Sequence, residues 1–203
     1  MGQEDCLDRW ACGPQNGNRT ILENEGPMAA YLLIVVAVLS RVIPHAWMNF
    51  TAVGAGLLYF GARRPLHEMA LPVLSLMATD YYLTVFAYRY PWHTSAYLIT
   101  WAWYAAVVVL GWILLRRQVT VTRVIGATVL ASTSFFIVSN YAMWFGGTIY
   151  PHTMAGLGAC YVAGLAFYRN DVLSTVLIAG LAFGMPVAVR KMAEQRAQGK
   201  LAA

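Results

Sequence analysis

The stretch VIGATVLASTSFFIVSNYAMWFGGTIYPHTMAGLGACYVAGLAFY, Val124 to Tyr168, runs from Arg123 to Arg169 without one Asp, Glu, Lys or Arg. A membrane-spanning helix needs roughly 20 consecutive apolar residues, so this run has room for two embedded segments. A soluble core of ordinary design leaves no such interval uncharged. The whole chain agrees: 203 residues are 59% hydrophobic and only 11% charged, with 17 glycines and a mean hydropathy of +0.54. That composition lies outside the usual soluble range and indicates a membrane protein.

The charges that remain are unevenly placed. Five of the nine acids fall in positions 1 to 25, and only Glu68, Asp80 and Asp171 lie between 26 and 189. Arg63 with Arg64, Arg116 with Arg117, and Arg190 with Lys191 each close an apolar stretch, as cytoplasmic loops do. The net charge of +5 therefore belongs to membrane topology. No basic run interleaved with aromatics points to nucleic acid, which is excluded as a partner. Cys6, Cys12 and Cys160 form neither a CxxC nor a disulfide framework and read as unpaired thiols. The polar first 25 residues lack an apolar h-region, so no signal peptide is expected.

Seven apolar segments can be marked at 27–43, 50–62, 66–88, 93–115, 122–146, 153–168 and 171–189. Seven spans would place the basic tail after Arg190 opposite the other basic loops. Reading 153–168 as a short non-spanning helix after Gly146-Gly147 and Tyr150-Pro151 resolves this, and eleven Lys and Arg then lie inside against three outside. The expected fold is all-α: a polytopic bundle of six transmembrane helices plus that short helix before the last span. Both termini are expected on the cytoplasmic side of the inner membrane. A polar tail (1–26) and a basic tail (191–203) flank the transmembrane domain (27–190). The segment 50–62 is short for a straight crossing.

Local signals set the boundaries. Pro44 ends the first span at Ile43, Asn49 or Thr51 caps the second, and Asn170 or Asp171 caps the last. The four-residue spacings Ala52 to Gly56 and Gly180 to Gly184 predict close helix contacts.

Asp80 is the most informative side chain, because an acid set among Leu76, Met77, Leu83 and Phe86 is costly at membrane depth. It is either a ligand contact or one half of a structural ion pair with Arg41 or Arg89. Around the expected outer face gather Arg41, His45, Asn49, Tyr81, Arg89, Trp92, Trp144 and His152. With Asp80 and Asn140 these make the candidate ligand-binding set. Ser132, Phe136, Asn140 and Trp144 share one face of the fifth span, suited to helix packing or to lining a pocket. Tyr97, Trp101 and Tyr104 form a similar stripe on the fourth. Neither GxSxG, HExxH, a P-loop nor GxGxxG is present, and the four histidines lack the spacing of a helical metal pair. Neither catalysis, nor a cofactor, nor a bound metal is expected.

The order of these features is similar to an uncharacterised bacterial family of small integral membrane proteins. The resemblance rests on Arg41-Val-Ile-Pro44-His45, Asn49-Phe50-Thr51, Leu76-Met-Ala-Thr-Asp80, Ser139-Asn140-Tyr-Ala-Met-Trp144, Gly156-Leu-Gly-Ala-Cys160-Tyr161 and Phe167-Tyr-Arg-Asn170. More distantly, that family resembles the substrate-binding S components of energy-coupling factor vitamin transporters. This second resemblance implies a six-helix bundle that binds a vitamin-like micronutrient near its outer face. It also implies docking on a membrane coupling protein driven by two ATPases. The first helix departs from it, because Ala29, Ala30 and Ala37 lack the Ala-x-x-x-Ala docking spacing. The function expected is a membrane-embedded binding or uptake component for a small molecule. The alternative is an accessory subunit of a larger membrane complex.

Overall fold

The computed structural model describes residues 18–43 and 50–201. Six α-helices and no strand occur among them: α1 (Asn18–Val42), α2 (Val53–Arg63), α3 (Ala70–Tyr82), α4 (Leu98–Leu115), α5 (Val121–Gly146) and α6 (Met154–Leu201). A single 3-10 turn, Leu66–Glu68, leads into α3, and a wider π turn, Leu83–Ala87, continues it. The stretches Leu66–Ala87, Leu98–Leu115, Val121–Gly146 and Met154–Val189 are long and apolar enough to cross a membrane, and Met28–Val42 is a shorter apolar helix.

Packing runs inside out relative to a soluble protein. Ala30, Ala37, Ala52, Ala55, Ala127, Ala131 and Ala179 are fully buried, while Leu32, Leu74, Phe86, Ile113, Leu177 and Leu181 are exposed. So much large apolar surface facing outward marks contact with lipid or with other protein. Small residues at the crossings let backbones approach, which is how helices associate without a hydrophobic drive between them.

Helix α2 is the centre of the bundle, and Val53 to Ala62 are all buried. Its 11 residues rise about 16 Å, near half the hydrocarbon thickness. A Cβ on Gly61 would stand 1.9 Å from the Val108 carbonyl oxygen, and one on Gly111 would stand 2.3 Å from that of Leu58. Those two glycines allow α2 and α4 to cross backbone to backbone. Gly56 faces Leu33 and Ala37 of α1 at ordinary to tight contact, so the Ala52–Gly56 pair packs internally as predicted. Contacts such as Tyr31 to Glu68, Arg41 to Asp80, Trp103 to Ser134 and Thr133 to Tyr168 run successive helices in alternating directions.

Four expectations need correction. The short helix at 153–168 and the last span at 171–189 are one continuous 48-residue helix. Asn170 and Asp171 cap nothing; both lie inside α6, where Ser174 Oγ donates to the Asp171 carbonyl at 3.0 Å. Helix α1 begins at Asn18, ahead of the apolar segment at 27–43 expected to open it. Finally, Gly180 and Gly184 have nothing within 4 Å of a Cβ, so that face turns outward. At α2 the cap comes from across the hairpin: Ser40 Oγ accepts from the Ala52 N–H at 3.0 Å. Asn49 lies outside the described residues.

Candidate functional site

The three acids between 26 and 189 have different surroundings. Glu68 sits in the 3-10 turn between α2 and α3, beside the middle of α1, and accepts from Arg64 Nε at 2.7 Å and from the Tyr31 hydroxyl at 2.5 Å. Its hydrogen bonds hold the Arg64 guanidinium above its ordinary pKa.

Asp80 is enclosed further up the bundle. Arg41 Nη2 lies 2.6 Å from Oδ1, with the Arg41 side chain 21% exposed and that of Asp80 only 2%. Trp101 Nε1 donates to Oδ2 at 3.0 Å. The Tyr104 hydroxyl lies 3.3 and 3.4 Å from the two oxygens and accepts from Arg41 Nη1 at 3.0 Å. One turn further along, Thr84 Oγ1 donates to the Asp80 backbone carbonyl at 2.7 Å and shares a 2.6 Å hydrogen bond with the Tyr97 hydroxyl. Every carboxylate oxygen therefore has protein donors, and the buried charge faces a cation. This is the ion-pair arrangement, with Arg41 rather than Arg89 as partner. Arg89 is exposed, and its φ of 58° puts it in the left-handed region as the chain leaves the π turn.

Aromatic rings extend this network. Trp92 stacks on Tyr97 at 4.5 Å and 9°, lies 6.1 Å from Trp101, and takes Tyr81 edge-on at 5.1 Å. Asp80, Arg41, Tyr81 and Trp92 are thus one neighbourhood, held together by the α4 stripe Tyr97, Trp101, Tyr104. His45 lies outside the described residues.

Asn140, Trp144 and His152 belong elsewhere. Trp144 Nε1 donates to the Pro151 carbonyl at 2.9 Å and meets the His152 ring edge to face at 5.7 Å, which ties the turn between α5 and α6. Asn140 lines a half-open cavity of about 330 Å³ between those helices. The single outer site expected from the sequence is two regions, and neither Asp80 nor Arg41 lines this cavity.

The cavity walls come from facing stripes. Helix α5 contributes Ser132, Phe135, Phe136, Ser139 and Asn140, and α6 contributes Cys160, Gly164, Phe167, Tyr168 and Asp171. Gly164 leaves room for the Asn140 amide, since a Cβ there would stand 2.5 Å from Asn140 Oδ1 and push that side chain aside. The buried Cys160 thiol donates to the Asn140 carbonyl at 3.4 Å. Tyr168 is fixed by a 2.9 Å hydrogen bond to Thr133 and by the Phe136 ring 4.8 Å away.

Asp171 closes the deep end, 6% exposed. It has no salt bridge among the described residues. The Ser132 hydroxyl faces its carboxyl without closing a hydrogen bond of ordinary geometry, and the buried Thr175 hydroxyl one turn on is unpartnered too. Sequence reasoning missed Asp171 by taking it for a helix cap. Arg169 and Asn170 directly before it give the stretch the look of a helix terminus, so no local signal sets Asp171 apart.

Four stretches long and apolar enough to cross a membrane, with many large apolar side chains turned outward, give an all-helical chain of the membrane-protein type. The chain belongs to DUF6580, a family of unknown function, whose match covers residues 22–197. No curated protein and no solved structure matches it.

Proposed function

We propose that the protein is an integral membrane binding component for a small molecule, and that the α5–α6 cavity holds the ligand. The observation that carries this reading is Asp171, a buried carboxyl without a counter-charge among the described residues, which lines a cavity of aromatic and polar side chains. Ionisable residues inside a membrane segment usually mark function. A mostly apolar hollow with a few convergent polar groups is the common form of a small-molecule site. The cavity volume of about 330 Å³ suits a compact metabolite.

The same proposal takes α1 to α6 as six spans, with both termini in the cytoplasm of a bacterial cell. Arg63, Arg64, Arg116, Arg117 and Lys191 then fall inside, and Ile149 and Tyr150 sit at the outer mouth of the cavity. Asp171 and Ser132 lie about 20 Å below that mouth along α5. Binding without catalysis is the role, and docking on an ATPase-driven coupling protein, as in S components, is its extension to uptake. Native mass spectrometry of the protein extracted in a mild detergent tests it. The wild type should carry a small-molecule adduct that Ala163→Trp, which fills the cavity wall, lacks.

An accessory-subunit role is favoured by one feature, the open outward face at Gly180 and Gly184. An additional protein chain in the same spectra, lost in Gly184→Leu, would support that role instead.

A further inference from the structure

Of the three acids within the apolar part of the chain, Glu68 has Arg64 and Asp80 has Arg41. Among the described residues Asp171 has neither an arginine nor a lysine, and no basic residue lines its cavity. A carboxylate removed from water is costly unless a cation meets it. The groups that do surround the cavity suit a cation. Ser132, 1% exposed, presents a hydroxyl oxygen with no hydrogen-bond partner. Phe136 and Tyr168 stand with centroids 4.8 Å apart at 35°, and Phe167 lies one residue from Tyr168 on the same wall. Ring faces attract a cation through their quadrupole, the more so where water is excluded.

We propose that this cavity takes a small organic ammonium ion, its charge held by Asp171 and Ser132 and its carbon skeleton by Phe136, Phe167 and Tyr168. The inference rests on reading the cavity as the ligand site. A bare metal cation would leave the rings without a role and would need more oxygen ligands than Asp171 and nearby hydroxyls supply. An anion would face an uncompensated carboxylate. A neutral molecule would leave Asp171 unpaired.

Three probes with one skeleton test the charge: phenethylammonium, 2-phenylethanol and 3-phenylpropionate. Binding to the detergent-purified protein is read by saturation-transfer NMR, with Ala163→Trp subtracting uptake into micelles. Phenethylammonium should bind at least ten-fold more tightly than the alcohol, and the carboxylate should not bind. Asp171→Asn should erase the ten-fold preference while leaving the alcohol's affinity in place. Phe136→Leu, which keeps volume and apolarity, should weaken the ammonium several-fold and the alcohol little. The second variant keeps the test open if Asp171→Asn does not fold.

Equal binding of ammonium and alcohol, a preference that survives Asp171→Asn, or saturation by Na⁺ alone would overturn the proposal. So would no binding of any of the three probes. Each of these results leaves the cavity itself standing if the native adduct is present in the wild type and absent from Ala163→Trp. Loss of that difference removes the cavity reading as well.

Discussion

Arg41 on α1 and Asp80 on α3 meet at 2.6 Å, and Trp101 and Tyr104 of α4 complete the donors around the carboxylate. Three helices are thereby pinned at one height in the bundle. Removing one partner of a buried pair costs about 3–5 kcal/mol, and the partial exposure of Arg41 puts Asp80→Asn near the lower end, about 3 kcal/mol. The melting temperature in detergent should fall markedly, and the double variant Arg41→Met/Asp80→Leu should recover most of the loss. An unchanged melting temperature in Asp80→Asn would show that the pair does not hold α1 to α3.

The glycines separate into two kinds by what their missing Cβ would meet. Gly61→Ala and Gly111→Ala drive a methyl into backbone carbonyls of the facing helix, where nothing can give way locally. Overpacking typically costs about 1–3 kcal/mol and occasionally more, and these two should sit at or above the top of that range. Gly180→Ala and Gly184→Ala meet open space and should leave thermal stability level or slightly raised. A reversed ranking in thermal melts would contradict the α2–α4 crossing.

Much of the bundle was legible in the charge pattern. Arg63, Arg116 and Pro44 mark helix ends because a charge or a missing N–H is costly where they would otherwise fall, and α2, α4 and α1 end within two residues of those marks. Asn170-Asp171 misled because the same residue types that cap helices also sit inside them when a cavity is there to receive the side chain. Nothing local distinguishes the two. The pairing of Asp80 with Arg41 instead of Arg89 was likewise beyond local reading. It depends on α1 lying beside α3, and on the left-handed turn at Arg89 that carries the chain away.

Ser40 supplies the first hydrogen bond of α2 from the neighbouring helix. Loss of a helix cap costs about 1 kcal/mol, and Ser40→Ala should show about that change in denaturant or thermal unfolding. Ser40→Thr, which keeps the hydroxyl, should behave as wild type. Equal loss in both variants would mean that packing at position 40 matters and the hydroxyl does not.

The proposed six-span arrangement makes a test of sidedness possible. In a protein with Cys6, Cys12 and Cys160 replaced by serine, single cysteines at His93 and His152 should react with an impermeant maleimide added to intact cells. Cysteines at Arg117 and Lys191 should react only after the membrane is opened. Labelling of His93 and Arg117 from the same side would contradict the alternation of α3, α4 and α5.

The central claim is that the α5–α6 cavity is built to hold a small molecule against Asp171. The most direct measurement is an experimental density map of the protein purified without ligand stripping. Compact density is expected inside the cavity against the Phe136 and Tyr168 rings, with an atom at hydrogen-bond distance from the Asp171 carboxyl, in the wild type and not in Ala163→Trp, a position that lines the same cavity. A cavity filled by a detergent or lipid chain that avoids Asp171, or closed by an arginine folding in to pair with it, would contradict the account.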